Sequence, residues 1–501
     1  MDTIVASPTP SRHQLNRLQY AAYAAALAVS ISTWFVAIRA PLWLDETISL
    51  FLIKDGFGGI TRQMWPDAPA YSYLLLLWTK VMGTSEIALR ISSILPMLGA
   101  AALLYCAARK LFERDLALIA TILFCLHPIV VFAAIDVRSY TFAALATTAS
   151  ILALVCLRHN NSIWLALLFG LSTAAMVEFH LMFAVILPSF LVSFLALKIR
   201  EGWIFWRQLG AALVAFSLGI LPAVRRFDAL YHTTSAHVFA AAPRLRQLAS
   251  PLTVRGSALI LMIGVLVALR TQRFTFARIP DRWTIFLCAS LGLVPVLILY
   301  GLSTATSVHV FLPRYELVAV PGIALSWALV AGLIDSLTLR LLCALAMVAV
   351  MASISFTSKA ARSHETSWKA ALAFVEANAS VDHAPVLICS GISESDRMVM
   401  PSGAAIEDSI VLTPLMYYKL TVPVVPLPRS LNDEAVRVGS RFLERATQQH
   451  ERFLAMASGY SYGTLKWLSD NAMATDDVHE LGVVDGFKIL EFVPRIPNAS
   501  R

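Results

Sequence analysis

The sequence predicts a polytopic α-helical membrane protein that carries a C-terminal α/β domain outside the bilayer. Hydrophobic residues make up 58% of the 501 residues, and the mean hydropathy is +0.69. Only 14% of the residues are charged, against roughly 25% in soluble domains. Apolar runs of about 20 residues, the length that crosses a bilayer, recur until about Thr357. Composition changes there to the alternating pattern of a soluble domain.

Charge and cysteine content exclude several other classes. The net charge is +8 and the sequence pI is about 9.2. In a membrane protein an excess of Lys and Arg marks the cytoplasmic loops and the anionic leaflet, so we expect membrane lipid, and no nucleic acid, among the partners. The six cysteines are scattered and lack the close pairing of a metal knuckle or redox motif. We therefore expect mostly inert thiols, and no disulfide at Cys389.

The first apolar run, residues 20–38, predicts the first membrane helix. Its length is nearer the ~20 residues of a span than the roughly 7–15 of a signal-peptide core. We therefore expect an uncleaved helix with a cytoplasmic N-terminus. An outer loop follows over about 39–84, and its segment from Pro69 is short and aromatic. This favours an interfacial helix over a further span.

The distribution of Lys and Arg predicts the sidedness of the later helices. Arg109, Lys110 and Arg114 follow the second span and are expected in the cytoplasm. A crossing at Pro69 would invert that cluster. Hydropathy and charge together predict about eleven spans and an extracytoplasmic C-terminus. The predicted spans are 20–38, 87–108, 116–134, a helix ending at Arg158, two helices within 163–197, then 209–223, 257–269, 283–302, and two helices that flank Asp335 and Arg340.

The chain thus divides into a transmembrane module, residues 1–357, and an extracytoplasmic α/β domain, residues 358–501. The second part is long enough for its own core and has no Gly-rich phosphate loop. Substrate recognition, a lid and a purely stabilising cap all remain open as its role. Its predicted helices are 364–378 and 432–448, and its predicted strands are 385–389, 422–426, 453–457 and 487–492.

Two adjacent carboxylates, Asp45 and Glu46, stand at the mouth of the first span beside Trp43. Solvated loop acids would show the same pattern, so this stretch alone leaves both interpretations open. Single acids, histidines, arginines and tyrosines also occur at the other predicted outer helix ends. Ionisable groups at membrane depth are costly and mark function. A transporter would place them near mid-span, whereas here the helix centres are nearly free of charge, which favours an outward-facing active site.

The order of these features resembles the polytopic glycosyltransferases of the GT-C class. The similarity is to the branch that includes protein O-mannosyltransferases, bacterial aminoarabinose transferases and the Rgt-like lipopolysaccharide glycosyltransferases. It covers about the first two-thirds of the chain. The residues that carry it are Trp43-Leu44-Asp45-Glu46, Pro69-Ala70-Tyr71-Ser72-Tyr73, Leu77-Trp78, Gly83-Thr84-Ser85-Glu86-Ile87-Ala88-Leu89-Arg90, Arg109-Lys110-Leu111-Phe112, His127-Pro128, Asp136-Val137-Arg138-Ser139-Tyr140, and Phe311-Leu312-Pro313-Arg314-Tyr315 with Pro321.

The resemblance implies transfer of a sugar from a polyprenyl-phosphate donor to an acceptor hydroxyl on the outer side of the membrane. Asp45 matches the family's catalytic acid and is expected to be the general base of an inverting single displacement. Glu46 could orient the acceptor or help hold a divalent ion. Asp136 could share in catalysis or pair with Arg138. The acceptor could be a glycan, a glycolipid or a protein.

The leaving phosphate needs a cationic partner, for which the guanidinium fork is suited. The candidates are Arg138 and Arg314, followed by Arg225; each could instead bind a headgroup or a neighbouring acid. The remaining candidate substrate contacts are Glu178, His180, Tyr71, Tyr73 and Tyr315.

Several points stay open at this stage. Glu178 and His180 alone do not make a metal site, so no cofactor is assigned and a divalent cation remains an option. Many relatives carry a His or Lys before the proline of the interfacial helix, but this chain has Ala68 there. Either an arginine replaces that contact or the donor differs. The rival function is a lipid or polysaccharide transporter, or a non-catalytic relative that binds carrier lipid.

Overall fold

The computed structural model describes residues 12–62, 69–198, 202–237, 241–249, 251, 256–277, 280–307, 309–357, 367–401 and 409–495. Its N-terminal part is helical. The helices are α1 Arg12–Ser32, α2 Leu44–Phe51, α3 Gly56–Arg62, α4 Pro69–Met82, α5 Glu86–Leu111, α6 Arg114–Leu126, α7 Pro128–Ala133, α8 Tyr140–Leu157, α9 Ile163–Phe179, α10 Leu187–Lys198, α11 Trp203–His237, α12 Ser257–Arg270, α13 Arg282–Ala305, α14 Pro313–Glu316, α15 Val320–Gly332 and α16 Leu337–Thr357.

Six helices in the described part of the chain are long and apolar enough to cross a membrane. Three shorter apolar helices accompany them. Each of the eleven predicted spans overlaps at least one helix, but several of these helices do not count as spans by length and composition. A multi-pass helical architecture is therefore confirmed, and the number eleven stays a prediction. The six are Glu86–Leu111, Tyr140–Leu157, Trp203–Val224, Arg282–Ala305, Pro313–Gly332 and Leu337–Thr357.

Two predicted helix boundaries were wrong. The span 116–134 is broken between α6 and α7 at His127. Proline disfavours helical backbone in the residue before it, so Pro128 starts a new helix instead of continuing the old one. The span 209–223 was expected to end before a polar loop at Arg225, but α11 runs on to His237. Helical backbone thus continues through a segment whose polarity predicted a loop.

The helices share one large apolar core, in which α5 packs on α8, α8 on α9 and α9 on α11. One end of the bundle is held by two ion pairs between helix ends: one pair joins the starts of α6 and α16, and the other joins the end of α8 to the start of α13. Arg340 Nε and Asp115 Oδ2 lie 2.9 Å apart and are almost fully buried. Arg158 Nη1 lies 2.8 Å from Asp281 Oδ2. The other end of the bundle contains the segments that connect α1 to α2 and α7 to α8, the segment after α9 and the segment before α14.

The C-terminal part contains a five-stranded mixed sheet. Its elements are α17 Trp368–Ala379, β1 Val386–Cys389, α18 Pro414–Tyr417, β2 Val424–Leu427, α19 Asp433–Gln449, β3 Phe453–Ser458, α20 Tyr462–Ala472, β4 Asp476–Val484 and β5 Phe487–Pro494. The strand order is β2-β1-β3-β5-β4. Strand β1 is parallel to β2 and β3, whereas β5 is antiparallel to β3 and β4. The predicted α/β character is confirmed.

Alternate residues of the central strands enter two separate cores, as the two-residue repeat of a strand requires. Val386 and Ile388 face the core that contains Trp368 of α17. Leu387 and Cys389 face the core of α19 and α20. Helices therefore cover both faces. The sequence reading missed β4 because its half-exposed polar residues give no apolar run. All six cysteines are free, as expected.

A close helix contact supports the segment that precedes α15. A Cβ at Gly322 would lie 2.4 Å from the backbone nitrogen of Gly292 in α13. Because backbone lies on both sides, α13 and α15 cannot accommodate a methyl group without moving apart. Gly301, also in α13, has nothing within 4 Å of its would-be Cβ.

We therefore expect Gly322→Ala to lower the apparent unfolding temperature of the purified protein, because overpacking a close contact costs about 1–3 kcal/mol. Gly301→Ala is the control and should leave that temperature unchanged or raise it, since Ala favours helix over Gly. Differential scanning fluorimetry in one detergent measures both. Equal unfolding temperatures of the two variants would contradict the close contact between α13 and α15.

Candidate active site

The site is built at the N-terminus of α2. Trp43 precedes the helix with extended backbone, and its amide donates a hydrogen bond to Glu46 Oε2 at 3.0 Å. Asp45 and Glu46 both lie in the first turn, where the helix dipole favours negative charge. Adjacent residues of a helix point about 100° apart. The two carboxylates therefore face different surroundings.

Glu46 faces the interior and binds Arg90 of α5. Both side chains are fully buried, and Arg90 Nη1 lies 2.9 Å from Glu46 Oε1. Arg90 Nη2 donates to Glu46 Oε2 at 3.1 Å, which makes the pair bidentate. Glu46 Oε1 also accepts the backbone N–H of Val137 at 3.1 Å. Both carboxylate oxygens are thus engaged with protein groups.

Arg90 extends this network to two chain segments. It donates to the carbonyls of Ala40 and Pro41, each at 3.0 Å, and to that of Ile135 at 2.6 Å. The segment before α2 and the segment after α7 are therefore joined through one guanidinium. This corrects the expectation that Glu46 reaches an acceptor or a divalent ion: its carboxylate is fully buried and satisfied inside the protein.

Asp45 faces outward from this network. Its Oδ2 lies 2.9 Å from Nη1 of Arg314, and each of the two side chains is 21% exposed. Arg138 Nη1 donates to the backbone carbonyl of Asp45 at 3.2 Å. The structure therefore brings together three residues predicted from separate helix ends: Asp45, Arg138 and Arg314.

Asp136 lies beside them but is fully buried. Its Oδ1 accepts the indole N–H of Trp43 at 3.1 Å, and its backbone carbonyl accepts the hydroxyl of Ser93 at 2.7 Å. The first bond holds the indole of Trp43, the residue preceding α2, and the second holds Asp136 itself against α5. The carboxylate of Asp136 thus supports the site instead of lining its exposed part.

A layer of rings adjoins the two arginines. The imidazole of His180 lies 4.9 Å from the ring of Tyr140 and 5.3 Å from that of Tyr315, centre to centre. The guanidinium of Arg314 lies 5.6 Å from the ring centre of Tyr315. Burial, reinforced by the positive charges of Arg138 and Arg314, lowers the pKa of His180 to about 3. The imidazole is therefore neutral at physiological pH, and its buried Nδ1 has no hydrogen-bond partner among the residues that the structure describes.

Three other residues predicted for the site, Tyr71, Tyr73 and Glu178, each have different surroundings. Tyr71 is buried and packs edge-on against Phe142, within the apolar cluster that contains Val137. Tyr73 stacks on Phe57, with ring centres 5.9 Å apart, so it holds α4 to α3. Glu178 is half-buried in the last turn of α9, next to His180.

Two of the expectations fall outside the described part of the chain. They concern the side chain of Arg225 and the position of Ala68. Among the described residues, no three His, Cys, Asp or Glu side chains cluster as metal ligands would. The carboxylate of Asp45 is faced by the guanidinium of Arg314, which supplies positive charge beside it.

Comparison with known proteins finds a family similarity over part of the chain and a similar fold over most of it. Residues 66–224 match the family model described as dolichyl-phosphate-mannose-protein mannosyltransferase. The crystal structure of ArnT from Cupriavidus metallidurans in the apo state superposes with a TM-score of 0.56 and 12% identity, over 93% of this chain and 97% of that one. Residues 66–224 are thus similar to this mannosyltransferase family, and the chain as a whole has a fold similar to that of ArnT.

More distant similarity extends to the oligosaccharyltransferase of Archaeoglobus fulgidus. The structure of archaeal AglB in complex with an inhibitory peptide and a dolichol-phosphate gives a TM-score of 0.46 at 13% identity, over 96% of this chain and 75% of that one. No curated protein sequence matches the chain. The resemblance inferred from the sequence is confirmed over residues 66–224 by the family match, and for the fold by the similarity to ArnT.

The sequence analysis did not identify Arg90 as a residue of the site. The residue was noted only as the end of a resembling segment, yet it holds Glu46. One signal was present: Arg90 interrupts an otherwise apolar helix, α5. A charge in such a position is costly unless it is paired, so it predicted an acidic partner without saying which one.

We expect Arg90→Met to destabilise the protein strongly, because it leaves the buried Glu46 carboxylate uncompensated at a cost of about 3–5 kcal/mol. The matched control is Arg109→Met on the same helix, whose guanidinium is exposed and donates to the carbonyl of Phe112. Thermal unfolding in detergent should separate the two variants clearly. Similar unfolding temperatures for both would contradict the structural role of the Arg90–Glu46 pair.

Proposed function

We propose that this enzyme transfers a sugar from a polyprenyl-phosphate carrier to a hydroxyl of an envelope acceptor at the outer face of the membrane. The observation that carries the proposal is the partly exposed Asp45 carboxylate, held 2.9 Å from Arg314 within a GT-C fold. A base and a cation side by side suit a reaction in which a proton is removed as phosphate leaves. The family match favours this enzyme over the transporter or non-catalytic alternatives.

In this proposal Asp45 is the general base. It takes the proton from the acceptor hydroxyl while that oxygen forms its bond to the anomeric carbon. The bond from the anomeric carbon to the phosphate oxygen breaks, and the phosphate leaves with the electron pair. One base and no covalent intermediate suffice, so the sugar inverts at its anomeric carbon. A positioned carboxylate contributes roughly 10²–10⁴-fold to such a step.

Arg314 and Arg138 are the proposed partners of the leaving phosphate. Arg314 uses one guanidinium nitrogen for Asp45, and a guanidinium carries five N–H donors in a fixed fork. Arg138 binds the backbone of Asp45, so both cations lie beside the base. Positive groups that are already in place stabilise charge that develops on a leaving group. We propose these arginines as that countercharge, in place of an ion held by Glu46.

Neutral and aromatic groups complete the proposed substrate surface. His180, whose pKa is lowered to about 3, offers a ring nitrogen for hydrogen bonding without adding charge. Tyr315 and Glu178 adjoin it and are proposed contacts for sugar or carrier. Asp136 and Glu46 act behind this surface by fixing Trp43 and the start of α2. The acceptor class, whether glycan, glycolipid or protein, is left open.

Asp45→Asn should reduce turnover by at least ~10²-fold while donor binding is retained, as loss of a general base predicts. The assay is transfer of a radiolabelled sugar from a polyprenyl-phosphate donor in proteoliposomes. Asp55→Asn is the control, because Asp55 is exposed beyond the C-terminus of α2. Transfer by Asp45→Asn at a near wild-type rate would refute the assignment of the base.

The proposed orientation places the Asp45 end of the bundle outside the cell and the Arg340–Asp115 end inside. In a variant whose six cysteines are replaced by serine, Ser139→Cys should react with a membrane-impermeant maleimide added to intact cells. His159→Cys, in the turn after α8 at the opposite end, should react only after the membrane is opened. The reverse pattern would overturn the orientation.

A further inference from the structure

The C-terminal part packs directly on the helix that carries Asp45. Ile48 and Leu52 of α2 form one buried apolar cluster with Ile392 and Ile410. A Cβ at Gly391 would lie 2.9 Å from Leu44 Cδ2, so the chain passes close to the first residue of α2. The sheet domain is thus in contact with one face of α2 along its length.

A tyrosine of this domain binds the segment that leads into α2. The Tyr418 hydroxyl accepts the backbone N–H of Leu42 at 2.7 Å and donates to Glu86 Oε1 at 2.9 Å. Lys369 of α17 binds the same Glu86 oxygen at 3.0 Å. Glu86 begins α5, one turn before Arg90. The Tyr418 hydroxyl therefore links the segment that precedes Asp45 to α5, the helix whose Arg90 binds Glu46.

A second hydroxyl pair lies on the other side of Asp45 in the chain. Thr413 Oγ1 and Thr47 Oγ1 are 2.9 Å apart and buried. Asp45 is thus flanked by two residues, Leu42 and Thr47, that the C-terminal domain holds through hydrogen bonds. A short helix held before and after its first turn presents its side chains in a fixed position.

We propose that the C-terminal domain is a positioning element for the base, and that Tyr418 and Thr413 are its positioning residues. The proposal rests on the assignment of Asp45 as general base. The domain touches Asp45 through its chain neighbours and contributes no group to the reaction itself. Its role is to hold the carboxylate where the acceptor hydroxyl arrives, since small misplacements of a catalytic group reduce rate strongly.

Removing the Tyr418 hydroxyl has a local consequence. Leu42 is fully buried, so its N–H would lose its acceptor in a place without ready access to water, and an unsatisfied buried donor is unfavourable. The segment would then move to find another partner and would take the start of α2 with it. The Arg90–Glu46 pair would still hold the helix as a whole, so folding should survive.

The chain offers a matched control in the neighbouring residue. The Tyr417 hydroxyl donates to the backbone carbonyl of Thr84 at 2.7 Å. It therefore also joins the domain to the loop before α5, but makes no bond to the segment around Asp45. Tyr417→Phe and Tyr418→Phe each remove one hydroxyl from the same interface, and only the second releases Leu42.

The experiment compares transfer kinetics of these two full-length variants in proteoliposomes. Tyr418→Phe should lower kcat by about tenfold, on the order of one lost hydrogen bond, with the donor KM within about twofold of wild type. Tyr417→Phe should change neither constant by more than about twofold. Equal effects of the two variants, or an effect of Tyr418→Phe on donor KM alone, would overturn the proposal.

Thr413 supplies a second test with a conservative rescue. Thr413→Val should lower kcat, and Thr413→Ser, which keeps the hydroxyl, should restore it. If Val and Ser behave alike, the hydroxyl pair does not position Asp45.

Hydrogen exchange tests, without a transfer assay, whether the Tyr418 hydroxyl holds the backbone at Leu42. The peptide that contains the Leu42 amide should exchange faster in Tyr418→Phe and at the wild-type rate in Tyr417→Phe. Unchanged exchange in Tyr418→Phe would refute the anchoring. If the wild-type protein transfers no sugar, the proposed function fails, while the exchange result still shows whether the domain holds this segment.

Discussion

The buried pair of Arg90 and Glu46 is the interaction on which the site depends. Two opposite charges removed from water are stable only when geometry and additional hydrogen bonds are good. Here the pair is bidentate, and the backbone carbonyls of Ala40, Pro41 and Ile135 take further guanidinium donors. The arrangement ties α5 to the segments before α2 and after α7. These are the segments that carry Asp45, Asp136 and Arg138.

Around this anchor, neighbouring groups have different roles according to the face on which they lie. Glu46 points inward and is structural, whereas Asp45 points to the partly exposed side and faces Arg314. The positive charges near Asp45 also keep His180 neutral, because they add to the effect of burial on its pKa. A single cluster therefore contains a carboxyl group, two guanidinium groups and an uncharged ring, as the proposed removal of a proton beside a leaving phosphate requires.

The same helix, α2, is contacted from both parts of the protein. Membrane-helix residues hold it through Glu46 and Trp43, and the C-terminal domain holds it through Leu42, Thr47 and an apolar cluster. A helix of eight residues has little stability of its own. Its position is therefore set by tertiary contacts, and the placement of the proposed base, Asp45, depends on those contacts.

The sequence by itself determined the class of the protein and the approximate places of its chemistry. Run length and the positions of Lys and Arg predict membrane helices and their ends, because the bilayer imposes both length and charge bias. Motif order then indicated Asp45, Arg138 and Arg314. Tertiary structure alone decided that Asp45, and not the adjacent Glu46, reaches the exposed side. It also decided that Arg90 is the partner of Glu46 and that Tyr418 binds near Asp45. These pairs are 44 to 376 residues apart, and no local pattern encodes contacts at such separations.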